Sequence, residues 1–580
     1  MNKVEIIKVL KNIAVFLEIK GENSFKIRAY KSGARALERI DEDFDEIVKH
    51  NTVDKIDGIG KALAEKITTL YREGDLPFYN LLKASISPGL IECLSIPGLG
   101  GKKVKQLHES LGIDSIDSLK KACLSGAIAE LNGFGSKSTE KILSGIVNLD
   151  AYSKRHLWWS MQGFVDEIIY GLNKLSSVDK ASVAGSYRRR LETIGDLDFI
   201  VGSEDPKPIM EWFVNLEGVK EITAHGSTKS SVRFKNGIQV DLRIVPADRF
   251  VFALHHFTGS KEHNVLLRQR ALSMGYSLSE WGIFTKDEST DFLAEGAEAV
   301  ETEADLFKFF KLSMIEPELR EGFGEISLAQ KGVLPKLIEP CQIKGVFHNH
   351  TTLSDGTDTL EAMVGKAELL GWEYIGFADH SKASFQANGL DESSVLSMID
   401  KINIFNDSGV SNLTVFSGIE CDILKNGTLD LDTSILEQLD YVVASVHSSF
   451  SQSEEEMTER IIRAIEDPNV TMLGHPTGRL LLKREPYKVD MNKIIDAAIA
   501  NKVVIEINAN PHRLDMDWRL WKQAIEDGLM CSINPDAHSI NDLEYFRAGV
   551  NIARKGWIEK ESVLNAKTTE DIMSWFKERV

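Results

Sequence analysis

Hydrophobic and polar positions alternate along two stretches in the first half of the chain. Residues 196–201 run Asp-Leu-Asp-Phe-Ile-Val, and residues 240–245 run Val-Asp-Leu-Arg-Ile-Val. Short alternating runs that end in apolar residues predict β-strands. Because residues two apart in a strand point to the same face, Asp196 and Asp198 project to one side, roughly 7 Å apart along the strand. Asp241, the lone carboxylate of the second strand, can complete a group of three.

The chemistry of these carboxylates calls for a cation, because carboxylates placed this close repel one another. Mg²⁺ suits the arrangement, since it binds carboxylate oxygens and keeps positions open for substrate phosphates. Upstream, Gly185 and Ser186 predict a turn whose backbone N–H groups can face a phosphate, and the arginines at 188–190 offer guanidinium groups for the same anion. Three carboxylates on two strands favour a two-metal phosphoryl-transfer site over a charged, solvated hairpin.

Short helical patterns fill the first 150 residues and contain one repeated turn. Residues 56–61, 96–101 and 131–136 each place two glycines around an apolar residue, ahead of a helix with small and basic residues. Glycine permits a tight turn with positive φ, and N–H groups at the next helix N-terminus can face a phosphate. Three such copies predict helix-hairpin-helix elements that bind the DNA backbone without reading sequence. The predicted DNA contacts are Gly58, Gly60, Gly98, Gly100, Gly133 and Gly135.

Beyond residue 340, apolar runs that predict strands alternate with helical patterns, and the strands end in histidine, aspartate or glutamate. Barrels built from such β/α repeats carry their sites at the C-terminal strand ends. A single strand-end histidine is usually structural, but nine such groups indicate a cluster of two or three Zn²⁺, Mn²⁺ or Fe²⁺ ions. Arg513 and Lys382 are either phosphate-binding or solvated charges. The predicted ligands are His348, His350, Asp355, His380, Glu420, His447, His475, Asp536 and His538.

Composition narrows the class of protein. At 580 residues the chain allows roughly three to five domains, and a hydrophobic content of 43% supports several cores. No apolar run approaches the roughly 20 residues needed to cross a bilayer, and the first residues lack a secretory pattern. The five cysteines show no paired spacing, so we expect a cytoplasmic protein. A net charge of −19 argues against non-specific coating of nucleic acid and leaves local DNA contacts open.

The motifs G-S-x-R-R, G-D-x-D, V-D-L-R and F-T-G-S resemble the nucleotidyltransferase core of the family X DNA polymerases, the relatives of DNA polymerase beta. The resemblance implies that Asp196, Asp198 and Asp241 are the catalytic residues and hold Mg²⁺ or Mn²⁺. His256 stands where the family usually has tyrosine. The residues implied to bind the incoming nucleotide are Ser186, Arg189, Gly195, Phe257, Gly259, Asn264 and Arg268.

Other parts of the chain extend this resemblance. Residues 25–30 and the first hairpin resemble the small N-terminal domain of the family, and residues 279–284 resemble its thumb. Lys66 matches the Schiff-base lysine of members that excise deoxyribose phosphate. A neighbouring lysine of those members is Ala62 here, so we expect little lyase activity. Residues 155–176 predict an amphipathic helix that leads into the strand-rich palm.

The last 240 residues or so resemble the PHP (polymerase and histidinol phosphatase) domain, and every ligand position of that family is filled. Val346 replaces the usual aspartate two residues before the His-x-His motif. The resemblance implies a metal-dependent phosphoesterase that acts as a 3′-5′ exonuclease and cleans 3′ ends. The chain is therefore predicted to be multidomain, with a helical N-terminal part, an α+β palm with thumb, and an α/β distorted (β/α)7-type barrel.

The resulting prediction is a template-directed, gap-filling repair polymerase with a 3′-end phosphoesterase. Expected partners are gapped or nicked DNA and dNTP, with no membrane and a monomeric state. One alternative is a template-independent nucleotidyltransferase with a small-molecule phosphatase domain, and another is a catalytically inactive DNA-binding scaffold. Predicted domains are 1–80 (N-terminal helix-hairpin-helix), 81–150 (fingers), 151–245 (palm), 246–325 (thumb), 326–342 (linker) and 343–580 (PHP).

Overall fold

The computed structural model describes two compact units. One comprises residues 1–154 with 234–238 and 264–270, and the other comprises 155–233, 239–263 and 271–580. Within these limits, the structure describes residues 1, 3–39, 44–56, 58–94, 96, 99–135, 139–140, 142–143, 146, 155–286 and 293–579.

The first unit is built from helices, because its apolar residues recur at helical spacing. In the first helix, Ile6, Leu10, Ile13 and Leu17 lie on one face and are fully buried. They belong to a core that continues to Leu76, and a second core extends from Phe16 to Ile146. The helices are α1 (Lys3–Lys20), α2 (Ser24–Arg39), α3 (Phe44–Lys49), α4 (Lys61–Glu73), α5 (Pro77–Ala84), α6 (Pro88–Cys93), α7 (Gly101–Leu111) and α8 (Ile116–Leu124).

The palm in the second unit is a five-stranded sheet whose order is β2-β4-β7-β6-β5. The strands β4 and β7 are parallel, and their antiparallel neighbours are β2 and β6. Its strands are β2 (Lys180–Val183), β4 (Asp196–Gly202), β5 (Val219–His225), β6 (Lys229–Phe234) and β7 (Gln239–Val245), and its helices are α9 (Gln162–Asn173), α10 (Gly185–Arg188), α11 (Pro206–Val214) and α12 (Phe250–Thr258).

The helix predicted over residues 155–176 is shorter than expected. Residues His156–Leu157 form β1, which pairs with β3 (Thr193–Ile194), and the helix α9 begins only at Gln162. A 3₁₀ turn, Trp159–Met161, lies between β1 and α9.

The thumb follows the palm with a helix, a hairpin and further short helices. Its elements are α13 (Lys261–Ser273), the antiparallel strands β8 (Tyr276–Ser279) and β9 (Gly282–Thr285), α14 (Glu303–Phe309) and α15 (Glu325–Lys331). The segment 326–342, expected to be a linker, is helical up to Lys331. Further on, the N–H of Ile338 donates to the carbonyl of Ile558 (3.1 Å), and Ile338 is fully buried in the core of the following domain.

The predicted distorted (β/α)7-type barrel is confirmed by a sheet of seven consecutive parallel strands. The strands are β10 (Gly345–Val346), β11 (Tyr374–His380), β12 (Thr414–Asp422), β13 (Tyr441–Ser445), β14 (Met472–Leu473), β15 (Val504–Asn508) and β16 (Cys531–Asn534). The helices are α16 (Leu360–Leu369), α17 (Glu392–Ser408), α18 (Thr433–Leu436), α19 (Glu454–Ile465), α20 (Met491–Ala500), α21 (Trp518–Glu526), α22 (Phe546–Lys555) and α23 (Thr569–Arg579).

Asn565 nearly closes this barrel by joining its first and last strands. Its amide nitrogen donates to the carbonyls of Gly345 and Ile533, each at 3.0 Å. Aromatic side chains fill the interior, including Phe347, Tyr441 and Phe576, the last of which comes from α23. Among the described residues, no helix is long and apolar enough to cross a membrane.

Candidate active sites

The palm brings the three predicted carboxylates together on one sheet. Asp198 of β4 lies directly opposite Asp241 of β7, and Asp196 lies two residues earlier in β4. Asp241 accepts a hydrogen bond from Gln239 Nε2 (3.1 Å) and lies 3.3 Å from Lys229 Nζ. Parallel pairing in this register places the side chains on the same face, which is the arrangement that the alternating pattern predicted.

The backbone around Gly185 must approach Asp198 closely. A Cβ at Gly185 would lie 2.4 Å from Asp198 Oδ2, and Gly185 has a φ of +60°. Glycine satisfies both requirements because it has no side chain and tolerates positive φ. The expected turn at Gly185 and Ser186 is instead the short helix α10.

Burial and the neighbouring negative charges make Asp196 and Asp198 hard to ionise without a cation. Burial, and then the neighbouring charges of Asp196 and Asp241, raise the pKa of Asp198 to about 7. Burial and Asp241 also raise the pKa of Asp196. A divalent cation would relieve this repulsion, and the oxygen-only donor set fits Mg²⁺ or Mn²⁺.

The three arginines at 188–190, each expected to offer a phosphate contact, have different partners in the fold. Arg188 Nη2 lies 2.5 Å from Glu303 Oε2, and the Arg190 guanidinium stacks over the Trp158 ring (4.7 Å). Arg189 Nε pairs with Glu321 Oε1 (3.0 Å). Both Arg188 and Arg190 are therefore held by structural contacts.

Arg189 lies against the turn that the resemblance assigned to the nucleotide. Its Nη1 donates to the carbonyl of Thr258, and a Cβ at Gly259 would lie only 3.2 Å from that same nitrogen. Gly259 has a φ of +67°, so the sharp turn after α12 favours glycine. Phe257 lies under the Arg243 guanidinium at 4.2 Å.

The remaining predicted nucleotide contacts have separate surroundings. His256 Nδ1 lies 3.8 Å from Glu280 Oε2, and a Cβ at Gly195 would be 3.6 Å from Arg155 Nη1. Asn264 and Arg268 belong to the first unit, where Arg268 Nε donates to the carbonyl of Asn264 (3.1 Å) on one face of α13.

A buried chain of titratable groups next to this turn was missed by the sequence reasoning. His255 Nε2 lies 3.2 Å from His263 Nε2, and His263 Nδ1 lies 2.8 Å from Glu325 Oε1. Burial raises the pKa of Glu325 to about 7 and lowers the pKa of both histidines well below their usual range. The only signal was the spacing of two histidines on either side of F-T-G-S.

The glycines of the hairpins leave open space in front of the helix ends that they precede. Gly60 and Gly100 are the N-cap residues of α4 and α7, and an added Cβ would meet nothing within 4 Å at either. The same holds at Gly133 and Gly135. Positive φ occurs at Gly58 and Gly133 but not at Gly60 or Gly100. Gly98 lies outside the described residues.

The candidate lyase residue lies in an aromatic environment. Lys66 Nζ donates to Tyr30 Oη (2.5 Å) and lies 4.3 Å from the centre of the Phe78 ring. These contacts hold the amine by hydrogen bonding and cation–π attraction.

The barrel brings all nine predicted ligands to the C-terminal edge of its strands. Three groups have donor atoms within 4.8 Å of one another, and the groups share His350 and His380. The pairing of β11 with β12 places His380 directly opposite Glu420 at this edge. The groups are His350, Asp355, His380 and His538; His348, His350 and Asp536; and His380, Glu420 and His447.

Glu420 lies at the centre of the barrel cluster. Glu420 Oε2 lies 2.9 Å from His380 Nδ1. Glu420 Oε1 lies 2.9 Å from His475 Nε2 and 3.2 Å from His447 Nε2. Burial by itself would raise the pKa of Glu420, but the surrounding histidines lower it well below its usual range. A carboxylate in this position can bridge two ions.

The donor set also passes a test for metal binding. Among the residues that the structure describes, the buried Nδ1 atoms of His350 and His475 have no hydrogen-bond partner. Buried polar groups normally have partners, so these nitrogens fit a bound cation better than a packed core. Imidazole and carboxylate donors suit Zn²⁺, Mn²⁺ or iron.

A second layer of carboxylates supports the cluster and was missed from the sequence. Glu506 Oε1 lies 2.7 Å from His348 Nδ1, and Glu506 Oε2 accepts from the N–H of His475 (2.9 Å). Asp379 accepts from the N–H of Thr351 (2.8 Å). The sequence signal for Glu506 was a single glutamate inside the apolar run 503–507. In the structure this glutamate is fully buried.

The two candidate phosphate-binding cations differ in position. Arg513 Nε lies 3.4 Å from Asp536 Oδ2 at the cluster. Lys382 instead pairs with Glu392 on the surface, with 42% of its side chain exposed.

Comparisons with known domains cover most of the chain. A helix-hairpin-helix domain profile matches residues 1–76, and a SAM-like helix-hairpin-helix tandem profile matches residues 90–147. The DNA polymerase beta thumb profile matches residues 253–321, and the PHP domain profile matches residues 347–510. Asp536 and His538 lie beyond the matched PHP range, yet the fold brings them to the cluster.

Comparisons with whole proteins find one full-length relative and shorter ones that cover less than a third of this chain. The chain is 36% identical over 579 residues, 100% of both chains, to the DNA polymerase/3′-5′ exonuclease PolX of Bacillus subtilis (strain 168). A probable phosphatase of Thermoanaerobacter sp. (strain X514) is 29% identical over 180 residues, 29% of this chain and 71% of its own. A probable phosphatase of Clostridium acetobutylicum is 29% identical over 166 residues, 28% of this chain and 63% of its own.

Proposed function

This chain belongs to the family of the DNA polymerase/3′-5′ exonuclease PolX, and we propose that it fills short gaps in DNA and then processes 3′ ends during repair. It is a family X DNA polymerase fused to a PHP phosphoesterase, and it binds DNA. Both sites use divalent metal ions. Mg²⁺ or Mn²⁺ is proposed for the palm, and two or three Zn²⁺, Mn²⁺ or iron ions are proposed for the barrel.

At the palm, Asp196, Asp198 and Asp241 would hold the ions. When bound, the ions supply charge neutralisation for displacement of pyrophosphate by the primer 3′-hydroxyl. Ser186 and Arg189 bind the β- and γ-phosphates of a dNTP, and the Thr258–Gly259 turn lies against its sugar. Phe257 and Gly195 are proposed as further contacts of the nucleotide.

Template dependence is assigned to the helix that follows this turn. Asn264 and Arg268 lie one helical turn apart on α13, where their side chains can contact the minor-groove edge of the nascent pair. Contacts to that edge test the shape of a base pair more than its identity. The hairpin glycines would bind DNA phosphates without reading sequence.

At the barrel, the nine clustered side chains would hold the ions, and Arg513 lies beside Asp536. The ions would supply Lewis acidity for hydrolysis of a phosphodiester. Glu506 would orient His348 and His475 through hydrogen bonds, and Asp379 holds the segment that follows His350 through its bond from Thr351. The histidine-rich donor set supports this assignment, together with the similarity of 29% of the chain to a probable phosphatase.

The observation that carries the polymerase assignment is Asp198 lying opposite Asp241 beside a glycine backbone. The test is primer extension on a gapped duplex and on single-stranded DNA, with Mg²⁺ and then Mn²⁺. We expect addition of the complementary nucleotide only on the gapped duplex. Equal addition without a template would favour the template-independent nucleotidyltransferase, and no addition would favour the DNA-binding scaffold.

Lys66 is the remaining candidate for a third activity. Its amine is engaged by Tyr30 and Phe78, and Ala62 leaves the site without a second lysine. We therefore expect borohydride to trap little covalent adduct with a 5′-deoxyribose phosphate end. Strong trapping that is lost in Lys66→Ala would contradict this expectation.

The partners and location follow from the same proposal. Gapped or nicked DNA and dNTP are the proposed substrates, and the protein is proposed to act as a monomer. All five cysteines are free, and four of them are buried, which is compatible with the proposed cytoplasmic location.

A further inference from the structure

A lysine of the barrel reaches into the palm and thumb. Lys555, the last residue of α22, is fully buried. Its ammonium donates to the carbonyls of Arg189 (3.1 Å) and Glu318 (3.3 Å) and to Glu321 Oε1 (2.5 Å). An ammonium has three donors, so all of its hydrogen-bonding capacity is used on residues outside the barrel. From the barrel side, the Trp518 ring lies 4.4 Å from the same nitrogen.

The carboxylate that Lys555 contacts is shared with the palm. Glu321 Oε1 also accepts from Arg189 Nε at 3.0 Å. The side chains of Glu321 and Arg189 are each only 12% exposed, so water screens this pair weakly. Arg189 in turn donates from Nη1 to the carbonyl of Thr258 beside Gly259. A continuous chain of contacts thus links the barrel to the nucleotide-binding turn.

The charges of Lys555, Glu321 and Arg189 explain why a lysine is needed at position 555. Glu321 carries one negative charge and lies between two cations, Lys555 and Arg189. The three together carry one net positive charge beside the place assigned to the triphosphate. Without Lys555, Glu321 would neutralise Arg189 alone, and the site would lose that net charge. Buried charges act strongly on one another, so the loss would be felt at the phosphate.

We propose that Lys555 is a positioning residue for nucleotide addition: it shares Glu321 with Arg189 and so keeps the Arg189 guanidinium available to the triphosphate. This inference rests on the proposed role of Arg189. It makes the barrel part of the polymerase site as well as a second enzyme. Glu321 has the opposite effect on phosphate binding, because its negative charge offsets the positive charge of Arg189.

The neighbouring Arg554 provides a matched control. It lies one residue away on α22 and also crosses the same interface, where Arg554 Nε pairs with Glu318 Oε1 (2.8 Å) and its Nη1 with Glu339 Oε1 (2.5 Å). These contacts do not involve Arg189. Loss of Arg554 therefore weakens the interface without changing the charge shared by Arg189 and Glu321.

The test measures steady-state nucleotide addition by the full-length chain on a one-nucleotide gap. In Lys555→Met we expect the dNTP KM to rise about tenfold with kcat changed less than about threefold, because ground-state phosphate binding is lost. Hydrolysis of 3′ ends should stay unchanged. Arg554→Met should keep the wild-type KM.

A second substitution separates charge sharing from a loosened interface. Lys555→Met combined with Glu321→Gln again leaves Arg189 its full charge, so the KM should return towards the wild-type value. A merely structural role of Lys555 predicts that the double variant is worse than either single variant. If Lys555→Met does not fold, Lys555→Gln keeps donors for the two carbonyls without the charge and should show the same rise in KM.

Two results would overturn the inference. One is an unchanged KM in a folded Lys555 variant, and the other is an equal rise in KM in Arg554→Met. Arg189→Ala distinguishes failure of the underlying function. If Arg189→Ala also leaves the KM unchanged, the proposed role of Arg189 is wrong; if it raises the KM while Lys555→Met does not, only the role of Lys555 is wrong.

Discussion

The palm and the barrel hold their candidate metal sites in opposite ways. The palm offers three carboxylates on two neighbouring strands, with Asp196 the most exposed of the three and Asp198 and Asp241 more buried. The barrel offers nine side chains at strand ends, and His348, His350 and Glu420 are at most 1% exposed. The palm is oxygen-only, whereas the barrel is rich in nitrogen.

This difference shows where the rest of each coordination sphere comes from. Mg²⁺ bound by a few carboxylates needs oxygen atoms from substrate phosphates, so the palm site is completed only by nucleotide and primer. The barrel would supply enough ligands to hold ions before substrate arrives, and buried groups such as Glu506 would orient those ligands. We therefore expect the two sites to respond differently to substitution, chelation and pH.

The largest expected effect comes from removing one central carboxylate at each site. Asp198→Asn should lower gap filling by about 10³-fold or more and keep 3′-end hydrolysis, because the lost ligand serves only the palm. Glu420→Ala should do the reverse. Gap filling is measured on a gapped duplex, and 3′-end hydrolysis is measured on a 3′-labelled strand.

Exposed carboxylates of the same regions serve as controls for this pair. Asp248→Asn, whose side chain is 67% exposed, and Glu455→Ala on the surface of α19 should retain both activities. Loss of both activities in Glu420→Ala, with an unchanged Tm, would show that one shared site runs both reactions.

Chelation should separate the sites almost as sharply. Phenanthroline binds softer ions through nitrogen and competes poorly for Mg²⁺. At low dose in excess Mg²⁺, it should abolish 3′-end hydrolysis and spare gap filling. Metal analysis of the protein after gel filtration should show the corresponding loss of ions. Inhibition of gap filling at the same dose would remove the distinction between the two donor sets.

A smaller effect is expected from the second layer of the barrel. Glu506→Gln keeps the shape of the side chain but removes the charge that faces His348 Nδ1 at 2.7 Å. Metal affinity and 3′-end hydrolysis should fall roughly 10- to 100-fold, as is typical for such supporting groups. Gap filling should be unchanged. Wild-type metal content in this variant would contradict the supporting role of Glu506.

The smallest effect concerns pH and the buried chain beside the palm. Burial raises the pKa of Glu325 to about 7, so the folded protein holds this proton more tightly than the unfolded chain does. The stabilising contribution is complete below about pH 4.5 and is lost as pH rises through about 7. The Tm of the wild type should therefore fall relative to Glu325→Gln between pH 5 and pH 8.

The pKa shift of Glu325 sets an upper limit on the change in the free energy of unfolding. A rise from 4.5 to about 7 corresponds to about 3 kcal/mol at most. Glu298→Gln, a change at an exposed position, should track the wild type across the same range. Parallel curves for the wild type and Glu325→Gln would show that Glu325 does not titrate there.

Much of both sites could be predicted from the chain because the important residues lie at fixed positions in regular strands. The two-residue spacing of Asp196 and Asp198 determines their common face, and parallel strands bring His380 and Glu420 to one edge. The barrel, the thumb and the helix-hairpin-helix regions were predicted correctly, as the matching profiles confirm.

What the sequence determined by itself was therefore periodicity, strand ends and the residue types that suit each metal. Only the tertiary structure decided how charges far apart in the chain are shared. The three arginines at 188–190 look alike in sequence, but in the fold Arg188 pairs with Glu303, Arg189 pairs with Glu321, and Arg190 stacks on Trp158. Glu506 and Lys555 are ordinary in their local patterns and become important only through partners 158 and 234 residues away, His348 and Glu321. Local pattern constrains the backbone, whereas burial and the pairing of charges depend on which distant side chains the fold brings into contact.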